Sequence, residues 1–486
     1  MVLDGYALPQ SVLPGGEVGL HASSSGPFGV EVAREGGAHE VVWRADAVAG
    51  MEHPVPATAS ADGCAWPASL AVPINDAWRS GHYSVRLTNG DEEAHTFFVV
   101  RPTADPAPIL LVLSTSTANA YNDWGGPSLY TGGTRVSFER PLARGFLAKP
   151  EPAVRKAQAA PDREALGYFT WAEEHGLSPW SGGAGWWNWE RPFVAWAERE
   201  GFAIDVAISQ DLEEHPEVLD GHRLLLSVGH DEYWSWGMRD TVETYLAGGG
   251  NAAFFGGNTC WWQVRFEDGH RGMTCFKYRA DEDPVLGTPE EPSLTGAWPD
   301  RRIGRPEAAM TGLSFARGGY SRYGLGVPRA SGAYTVWRPH HWAFEGTDLR
   351  YGDALGLADA IVGYEVDGCE LTLLEGLPVP THTDGAPDSL EVLATAPATL
   401  WSQDEQPSRY ADEPGELEHV ARVLFGERWE EELHRIRHNH AVVASFDHPG
   451  GGTVFNAGCT DWTYGIEGGD ASVRRITRNV LERLSA

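Results

Sequence analysis

The sequence is short of positive charge. Its 486 residues include 37 lysine and arginine residues against 68 aspartate and glutamate residues, which gives a formal net charge of −31. An excess of negative charge of this size repels the phosphates of nucleic acids and the surface of anionic membranes. We therefore expect the partner to be a small-molecule substrate, and we expect no binding to nucleic acid or membrane.

Cysteine is also scarce. The five cysteines are odd in number and widely spaced, and they form no CxxC pair or other spacing typical of metal ligands. This pattern is typical of buried or idle thiols in a reducing compartment. The fold is therefore expected to be stable without disulfides.

The marks of secretion and membrane insertion are missing as well. No apolar run reaches the length of a membrane span, and the opening MVLDGYALPQ shows no basic stretch followed by an apolar one. No internal repeat is found. We expect a cytoplasmic protein, and the sequence leaves a homo-oligomer open.

A change of pattern near residue 102 predicts two domains. Residues 1–102 contain short alternating segments such as GEVGLHAS, FGVEVARE and HYSVRLTN, separated by glycine, proline and asparagine. Alternation of apolar and polar residues between turn signals is typical of antiparallel strands. We predict an all-β immunoglobulin-like sandwich here, with a scaffolding role.

Residues 103–486 read as an α/β domain. Continuous apolar runs, PILLVLST, FAIDVAIS, HRLLLSVG and NAAFFGGN, alternate with helical segments such as ERPFVAWAERE and SWGMRDTVETYLA. This order predicts a mostly parallel sheet in a three-layer fold of the class I glutamine amidotransferase-like kind. Long insertions are expected at about 131–189 and 265–440, and AVVASFDHPGGGTVFN is expected to form a hairpin.

The candidate catalytic residues follow one of these strands, in LLLSVGHDEYW. Ligands of such sheets bind at the carboxyl ends of the strands, where this sequence places ionisable side chains. Either carboxylate could orient one imidazole nitrogen and leave the other to take a proton, although a satisfied histidine at a strand end is an equal alternative. The catalytic candidates are His230, Asp231, Glu232, Tyr233 and, after the next strand, Asn258.

A second group of candidates is suited to substrate binding. The loop STANAYNDWGGPSLY after the first buried strand is rich in side chains that stack and form hydrogen bonds. A glycine-rich turn that satisfies its own backbone is the alternative. The substrate-binding candidates are Tyr121, Asn122, Trp124, Arg265 and Trp462, and we expect the loop and the His230 cluster to share one cavity.

Two further motifs are judged structural. Cys260 in GGNTCWW is followed by two tryptophans, whereas a nucleophile on a sharp turn needs small neighbours. His434, His438 and His440 in HRIRHNH are interleaved with arginines, which favours a solvated segment over a zinc site.

Five motifs together resemble the large subunit of N,N-dimethylformamidase and its shorter relatives: AYNDWGGPSLY, WERPFVAWAEREGF, VGHDEYWS, FFGGNTCWWQVRFE and VFNAGCTDW. The resemblance spans the chain from about Pro108 onward. It implies one mononuclear iron, held by two tyrosines and a glutamate, that activates water. It places Tyr233 at one tyrosine position, whereas Phe193 stands at the other; Glu307 and Glu365 are both candidates for the glutamate. The family's small partner subunit is not excluded.

These observations predict a hydrolase that acts on a small amide or formamide carbon–nitrogen bond, with or without a metal. Tyr233 would hold the metal or polarise the carbonyl, and His230 with Glu232 would transfer the proton. Asn258 and Asn122 would stabilise the tetrahedral oxygen. The alternative is a non-catalytic or metal-independent ligand-binding protein that keeps the amidotransferase-like fold, which Phe193 favours.

Overall fold

The computed structural model describes residues 3–103, 105–156, 167–324, 327–407, 410 and 413–486. The chain forms two compact units. Unit 1 comprises Met1–Ala153, Ala172–His222 and Arg265–Thr274; unit 2 comprises Val154–Trp171, Arg223–Val264 and Cys275–Ala486. This division differs from the predicted boundary at residue 102, which stays a prediction. Residues 157–166 of the first predicted insertion lie outside the described residues.

Two antiparallel sheets make up the first part of unit 1. One has the order Leu3–Leu8, Glu17–Ser24, Leu70–Pro73, and the other the order Ser11–Val12, Glu92–Val100, Gly81–Asn89, Phe28–Glu35, His39–Val48, with only its first pair parallel. Alternate side chains of both sheets fill one hydrophobic core, which includes Val18, Val32, Val72, Val85 and Phe98. The alternation in the sequence arises from this packing. The immunoglobulin-like topology stays a prediction.

The rest of unit 1 contains a parallel pair of strands, Ile109–Leu113 and Ile204–Ile208. The predicted helix Glu190–Arg199 precedes the second strand and is confirmed. The other elements of unit 1 are the strands Arg135–Ser137 and Gly272–Thr274, the helices Ala59–Asp62, Thr115–Tyr121 and Asp211–Glu214, and the 3₁₀ turns Pro179–Gly182 and Pro216–Leu219. The helix Gly167–Glu174 and the strand Trp262–Glu267 each have residues in both units.

Unit 2 contains a mixed sheet. Leu224–His230, Asn251–Gly257 and Thr453–Asn456 are parallel neighbours, followed by the antiparallel strands Asn439–Asp447, Glu391–Ala398, Tyr334–Val336 and Ala354–Leu355. The predicted hairpin is confirmed by the pairing of Ala444–Asp447 with Thr453–Asn456. The amidotransferase-like three-layer class stays a prediction.

Helices connect and follow these strands. Trp236–Ala247 joins the first two parallel strands, and the Ser235 side chain accepts a hydrogen bond from the Met238 amide, as its N-cap position predicts. The amphipathic helix Ala471–Leu484 ends the chain, also as predicted. The remaining elements are the strands Tyr233–Ser235, Ser314–Tyr320, Glu365–Gly368, Leu371–Leu374 and Leu377–Pro380, the helices Ala308–Thr311, Glu416–Phe425, Trp429–Glu432 and Trp462–Gly468, and the 3₁₀ turns Lys277–Glu282, Glu291–Ser293, Trp342–Phe344, Gly426–Arg428 and Leu433–Arg435.

The state of the cysteines and the length of the helices can be seen directly in the structure. All five cysteines are free and buried, which agrees with a fold that needs no disulfide. Within the described part of the chain, every helix is too short or too polar to span a lipid bilayer.

Candidate functional site

The candidate site lies in unit 2, where three parallel strands end at the same edge of the sheet. His230 is the last residue of Leu224–His230, and Asn258 directly follows Asn251–Gly257. The third strand, Thr453–Asn456, leads into a loop of buried residues at the same edge. The carboxyl ends of neighbouring parallel strands bring their following residues together, so this edge gathers polar side chains from distant parts of the sequence.

The strand Glu365–Gly368 packs across these strand ends and delivers Glu365. The Thr460 amide donates a hydrogen bond to the Glu365 carbonyl over 3.1 Å. A Cβ atom on Gly257 would lie only 2.5 Å from that carbonyl oxygen, so this close approach requires glycine. Gly257 of NAAFFGGN therefore makes room for the segment that carries Glu365.

His230 lies between two carboxylates. Its Nε2 atom is 2.6 Å from Oε2 of Glu365 and 3.4 Å from Oε2 of Glu232. Each of the three side chains is at least 96% buried. A histidine in close contact with carboxylates in a dry environment is suited to proton transfer.

Asn258 and Asp367 hold the turn next to this pair. The Asn258 amide nitrogen Nδ2 donates to Oε2 of Glu365 over 3.1 Å. Asn258 has a φ of 52°, in the left-handed region that asparagine tolerates better than most residues. The two carboxylate oxygens of Asp367 accept hydrogen bonds from the backbone N–H groups of Asn258 and Thr259, at 2.9 and 3.0 Å. Asp367 therefore fixes the backbone that presents Asn258.

Burial and neighbouring charges have opposite effects on the pKa of Glu365. Burial alone would raise the pKa of Glu365, but the charge and hydrogen bond of His230, with the charge of Lys156, outweigh it and lower the pKa. Glu365 is therefore a carboxylate at neutral pH. Burial raises the pKa of Asp367 to about 7, against the hydrogen bonds from the backbone of Thr259 and Asn258.

The other members of the HDEY motif have different partners. Oε1 of Glu232 accepts a hydrogen bond from Nε1 of Trp262 over 2.7 Å, which fixes the carboxylate beside His230. Asp231 instead accepts a hydrogen bond from the Ser227 hydroxyl over 2.8 Å, and burial raises its pKa to about 6. Tyr233 is fully buried in the strand Tyr233–Ser235. Glu232 is thus the carboxylate of this motif that faces His230.

Aromatic side chains border the His230 cluster, and we call them the aromatic wall: Tyr278, Tyr320, Tyr323, Tyr364 and Trp401. The Tyr364 ring meets the His230 ring edge-on, with centroids 5.8 Å apart. Tyr320 stacks on Trp401 at 3.7 Å. The hydroxyls of Tyr320 and Tyr278 both donate to Oε1 of Glu416, and burial raises the pKa of Glu416 to about 8. Burial therefore favours a neutral Glu416, which lies among aromatic rings on this side of the cluster.

Trp462 and the histidines of HRIRHNH lie away from the His230 cluster or among other partners. Trp462 is fully buried, donates from Nε1 to the Thr477 hydroxyl over 2.9 Å, and packs against Phe255 and Phe455. These contacts are those of a core residue. His434 and His438 are exposed, as expected for a solvated segment, whereas His440 is half-buried in the strand Asn439–Asp447.

The other substrate-binding candidates lie in unit 1. Tyr121 stacks on Tyr130 at 4.0 Å, and the rings of Trp124 and Trp66 meet edge-on at 5.8 Å. The Asn122 amide donates to the Pro141 carbonyl and accepts from the N–H groups of Trp124 and Ala143. Arg265 pairs with Glu267 at 4.0 Å. The Asn122 contacts are those of a self-satisfied turn, and a cavity shared with His230 stays a prediction.

A mononuclear iron was expected on Tyr233 and on one glutamate, for which Glu307 and Glu365 were both candidates. Oε2 of Glu365 is engaged by His230 and Asn258, so this carboxylate could hold a metal ion only through Oε1. Glu307 accepts a hydrogen bond from the Ser314 hydroxyl, and burial raises its pKa to about 8. Tyr233, Glu307 and Glu365 as ligands stay predictions.

Sequence reasoning missed Lys156, Tyr364, Asp367 and Glu416. Tyr364 and Asp367 flank a residue that was named, but their pattern, GYEVDG, is that of an ordinary strand. Lys156 had one available signal, since lysine is among the rarest residues of this chain: only Lys149, Lys156 and Lys277 occur.

Similarity to known proteins points to one family. A sequence model of the family described as "N,N-dimethylformamidase beta subunit-like, C-terminal" matches residues 30–475. The chain is 24% identical over 461 residues to the N,N-dimethylformamidase beta subunit of Paracoccus aminophilus, covering 86% of this chain and 54% of the relative. It is 24% identical over 351 residues to the protein of that name from Alcaligenes sp, covering 64% and 43%. The chain thus spans about half the length of the curated relatives it matches.

Proposed function

The chain belongs to the N,N-dimethylformamidase beta subunit-like family, and on that premise we propose that it hydrolyses a small amide or formamide at the His230 site. One observation carries the proposal: the buried contact of 2.6 Å between Nε2 of His230 and Oε2 of Glu365, with Glu232 beside it. A carboxylate in close contact with a histidine can take a proton from water and return it to a leaving nitrogen.

The proposed reaction begins with the attack of a water molecule on the carbonyl carbon. Glu365, kept ionised by His230, accepts a proton from this water, and a tetrahedral intermediate forms. Asn258 donates one N–H of its amide to Glu365 and has a second with which to stabilise the tetrahedral oxygen. The proton then passes to the nitrogen, the carbon–nitrogen bond breaks, and an amine and a carboxylic acid leave. The iron expected from the family is no part of this sequence of steps.

A substrate panel tests the proposal. The purified chain is incubated with formamides and acetamides that carry hydrogen, one methyl or two methyl groups on nitrogen, and the released amine and acid are both quantified. We expect equimolar release from at least one of these amides. Release from none of them, in preparations with and without added iron(II) or iron(III), would contradict the proposal.

The name beta subunit, which both relatives carry, implies that those proteins assemble with another chain. We propose that this chain also accepts a small partner subunit, in addition to any association with its own copies. Light scattering on the complex isolated under native conditions tests this point. A mass equal to a whole number of copies of this chain would exclude the partner.

The second candidate function is the binding of a small polar molecule without turnover. The aromatic wall favours it, since stacked Tyr320 and Trp401 beside a neutral Glu416 can hold an uncharged ligand. Calorimetry separates the two functions. An amide that binds with measurable heat and is recovered unchanged supports the binding protein, whereas recovery as amine and acid supports the hydrolase.

A further inference from the structure

The chain uses lysine in an unusual way. Of its 37 lysine and arginine residues, only Lys149, Lys156 and Lys277 are lysines. All three are buried, although lysine side chains normally reach solvent. A buried ammonium group is unfavourable unless other groups compensate its charge, so each of these lysines must have a structural or functional reason.

Lys156 lies beside the candidate site. Its Nζ atom donates a hydrogen bond to the Tyr364 hydroxyl and lies 5.3 Å from the centre of the Tyr323 ring. Tyr364 directly precedes Glu365, and its ring meets the His230 ring. The hydrogen bond to Tyr364 therefore ties the ammonium group to the residue that leads into the Glu365 carboxylate.

The charges around Lys156 belong to the same cluster. Burial lowers the pKa of Lys156 to about 8, and the carboxylates of Glu365, Glu232 and Asp461 counteract this effect. At neutral pH the group therefore keeps its charge. Two carboxylates, those of Glu365 and Glu232, flank the single imidazole of His230, and the Lys156 ammonium group supplies positive charge beside them.

We propose that Lys156 is a positioning residue of the amide-hydrolysing site, which orients Glu365 through Tyr364 and balances the charge that Glu232 and Glu365 share. The inference rests on the proposed function, because positioning has a catalytic meaning only if Glu365 takes part in a reaction. It assigns a role to a segment, Val154–Lys156, that no sequence motif singled out.

Kinetics of Lys156 variants test the proposal. Removal of the charge in Lys156→Met is expected to lower kcat about 10–100-fold, the range for groups that orient an active residue in other sites, and to change KM less than about 3-fold. Lys156→Arg, which restores a cation, should recover most of the lost kcat. The matched control is Lys149→Met, since Lys149 is equally buried but donates to the Ser181 carbonyl in unit 1. It should keep the wild-type kcat.

A structural role alone would give another pattern. In that case Lys156→Met and Lys156→Arg would lose kcat equally, or KM and the melting temperature would change while kcat did not, and the proposal would be overturned.

A measurement without turnover keeps the two proposals separate. With ¹³C-labelled lysine, the wild-type protein should give three lysine Cε signals, one per lysine, and Lys156→Arg identifies the signal of Lys156. In Glu365→Gln we expect the Lys156 signal to shift while that of Lys149 stays in place. An unchanged Lys156 signal would refute the coupling, even in a protein that hydrolyses amides. A shifted signal in a protein that hydrolyses none would refute the proposed function but not the coupling.

Discussion

Nε2 of His230 lies 2.6 Å from Oε2 of Glu365, although the two residues come from separate strands that are far apart in the sequence. Burial raises the pKa of most acidic groups in this region, whereas Glu365 is held in its charged form by this contact. Removing one partner of a buried ion pair leaves an uncompensated charge, which costs about 3–5 kcal/mol. A substitution of either residue is therefore expected to lower both the stability of the protein and the activity of the site.

Replacement of the Glu365 carboxylate by an amide should abolish most of the activity. Glu365→Gln keeps the shape of the side chain but cannot accept a proton, so we expect kcat to fall about 10²–10⁴-fold, the contribution of general base catalysis. Steady-state kinetics on the best amide from the substrate panel measure the change. Glu375→Gln, at an exposed turn, is the control and should behave as wild type. A Glu365→Gln enzyme with wild-type kcat would remove Glu365 from the mechanism.

Two substitutions at Asn258 separate backbone strain from lost chemistry. Asn258→Ala loses the hydrogen bond to Glu365 and places a methyl side chain at a φ of 52°, which costs about 1–2 kcal/mol of stability. Asn258→Gly loses the same hydrogen bond but tolerates the backbone. We expect kcat to fall about 10²–10³-fold in both, and urea unfolding to show lower stability in the alanine variant. If the alanine variant lost activity in proportion to its lower stability while the glycine variant stayed near wild type, the side-chain amide of Asn258 would have no direct role.

The buried thiols should be dispensable for activity. Cys260 is fully buried, and burial raises its pKa well above the ordinary value, so the thiolate needed for attack does not form at neutral pH. We expect iodoacetamide to leave the activity of the folded protein unchanged, with mass spectrometry showing no alkylation at Cys260. Loss of activity in step with alkylation of Cys260 would restore a cysteine mechanism.

His82 in unit 1 should make the protein sensitive to acid. Its ring is stacked between Trp186 at 4.0 Å and Phe97 at 5.0 Å, and burial lowers its pKa to about 3. An unfolded histidine titrates near ~6.5. Between these two values only the unfolded chain binds the proton, so the stability is complete above about pH 6.5 and falls as the pH falls, by about 1.4 kcal/mol per pH unit.

His82→Phe keeps the stacking and removes this titration. Between pH 7 and pH 4.5 we expect the free energy of unfolding, measured with urea, to fall by about 2–3 kcal/mol less in His82→Phe than in the wild-type protein. The exposed His340, replaced by glutamine, is the control and should leave the wild-type loss intact. Equal losses in His82→Phe and the wild-type protein would show that His82 is not the acid-sensitive group.

The sequence was informative wherever a local pattern determines the structure. The apolar run before His230 predicted a buried strand, and Ser235 predicted the start of the next helix, because strand burial and helix capping depend on neighbouring residues. A polar cluster at a strand end therefore led to His230, Glu232 and Asn258. The same reasoning placed Trp462 at a site, whereas it packs in the core, since a tryptophan after a strand has the same pattern in both roles.

The partners that complete the site could not be predicted in this way. Glu365 reaches His230 only because its strand packs across the sheet edge above Gly257, a contact between distant segments with no local signature. Lys156 comes from a polar stretch without periodicity, and its burial depends on Tyr364 and Tyr323. Long-range packing of this kind is decided by the whole fold rather than by a motif.

The most direct test of the central claim is the kcat of His230→Gln on the amide that the wild-type protein hydrolyses fastest. The control is His438→Gln, at an exposed position, with both variants checked for a wild-type melting temperature. We predict a fall in kcat of at least about 10²-fold for His230→Gln and no change for His438→Gln. Hydrolysis by His230→Gln at the wild-type rate would contradict the account, because proton transfer at the site would then not require the imidazole of His230.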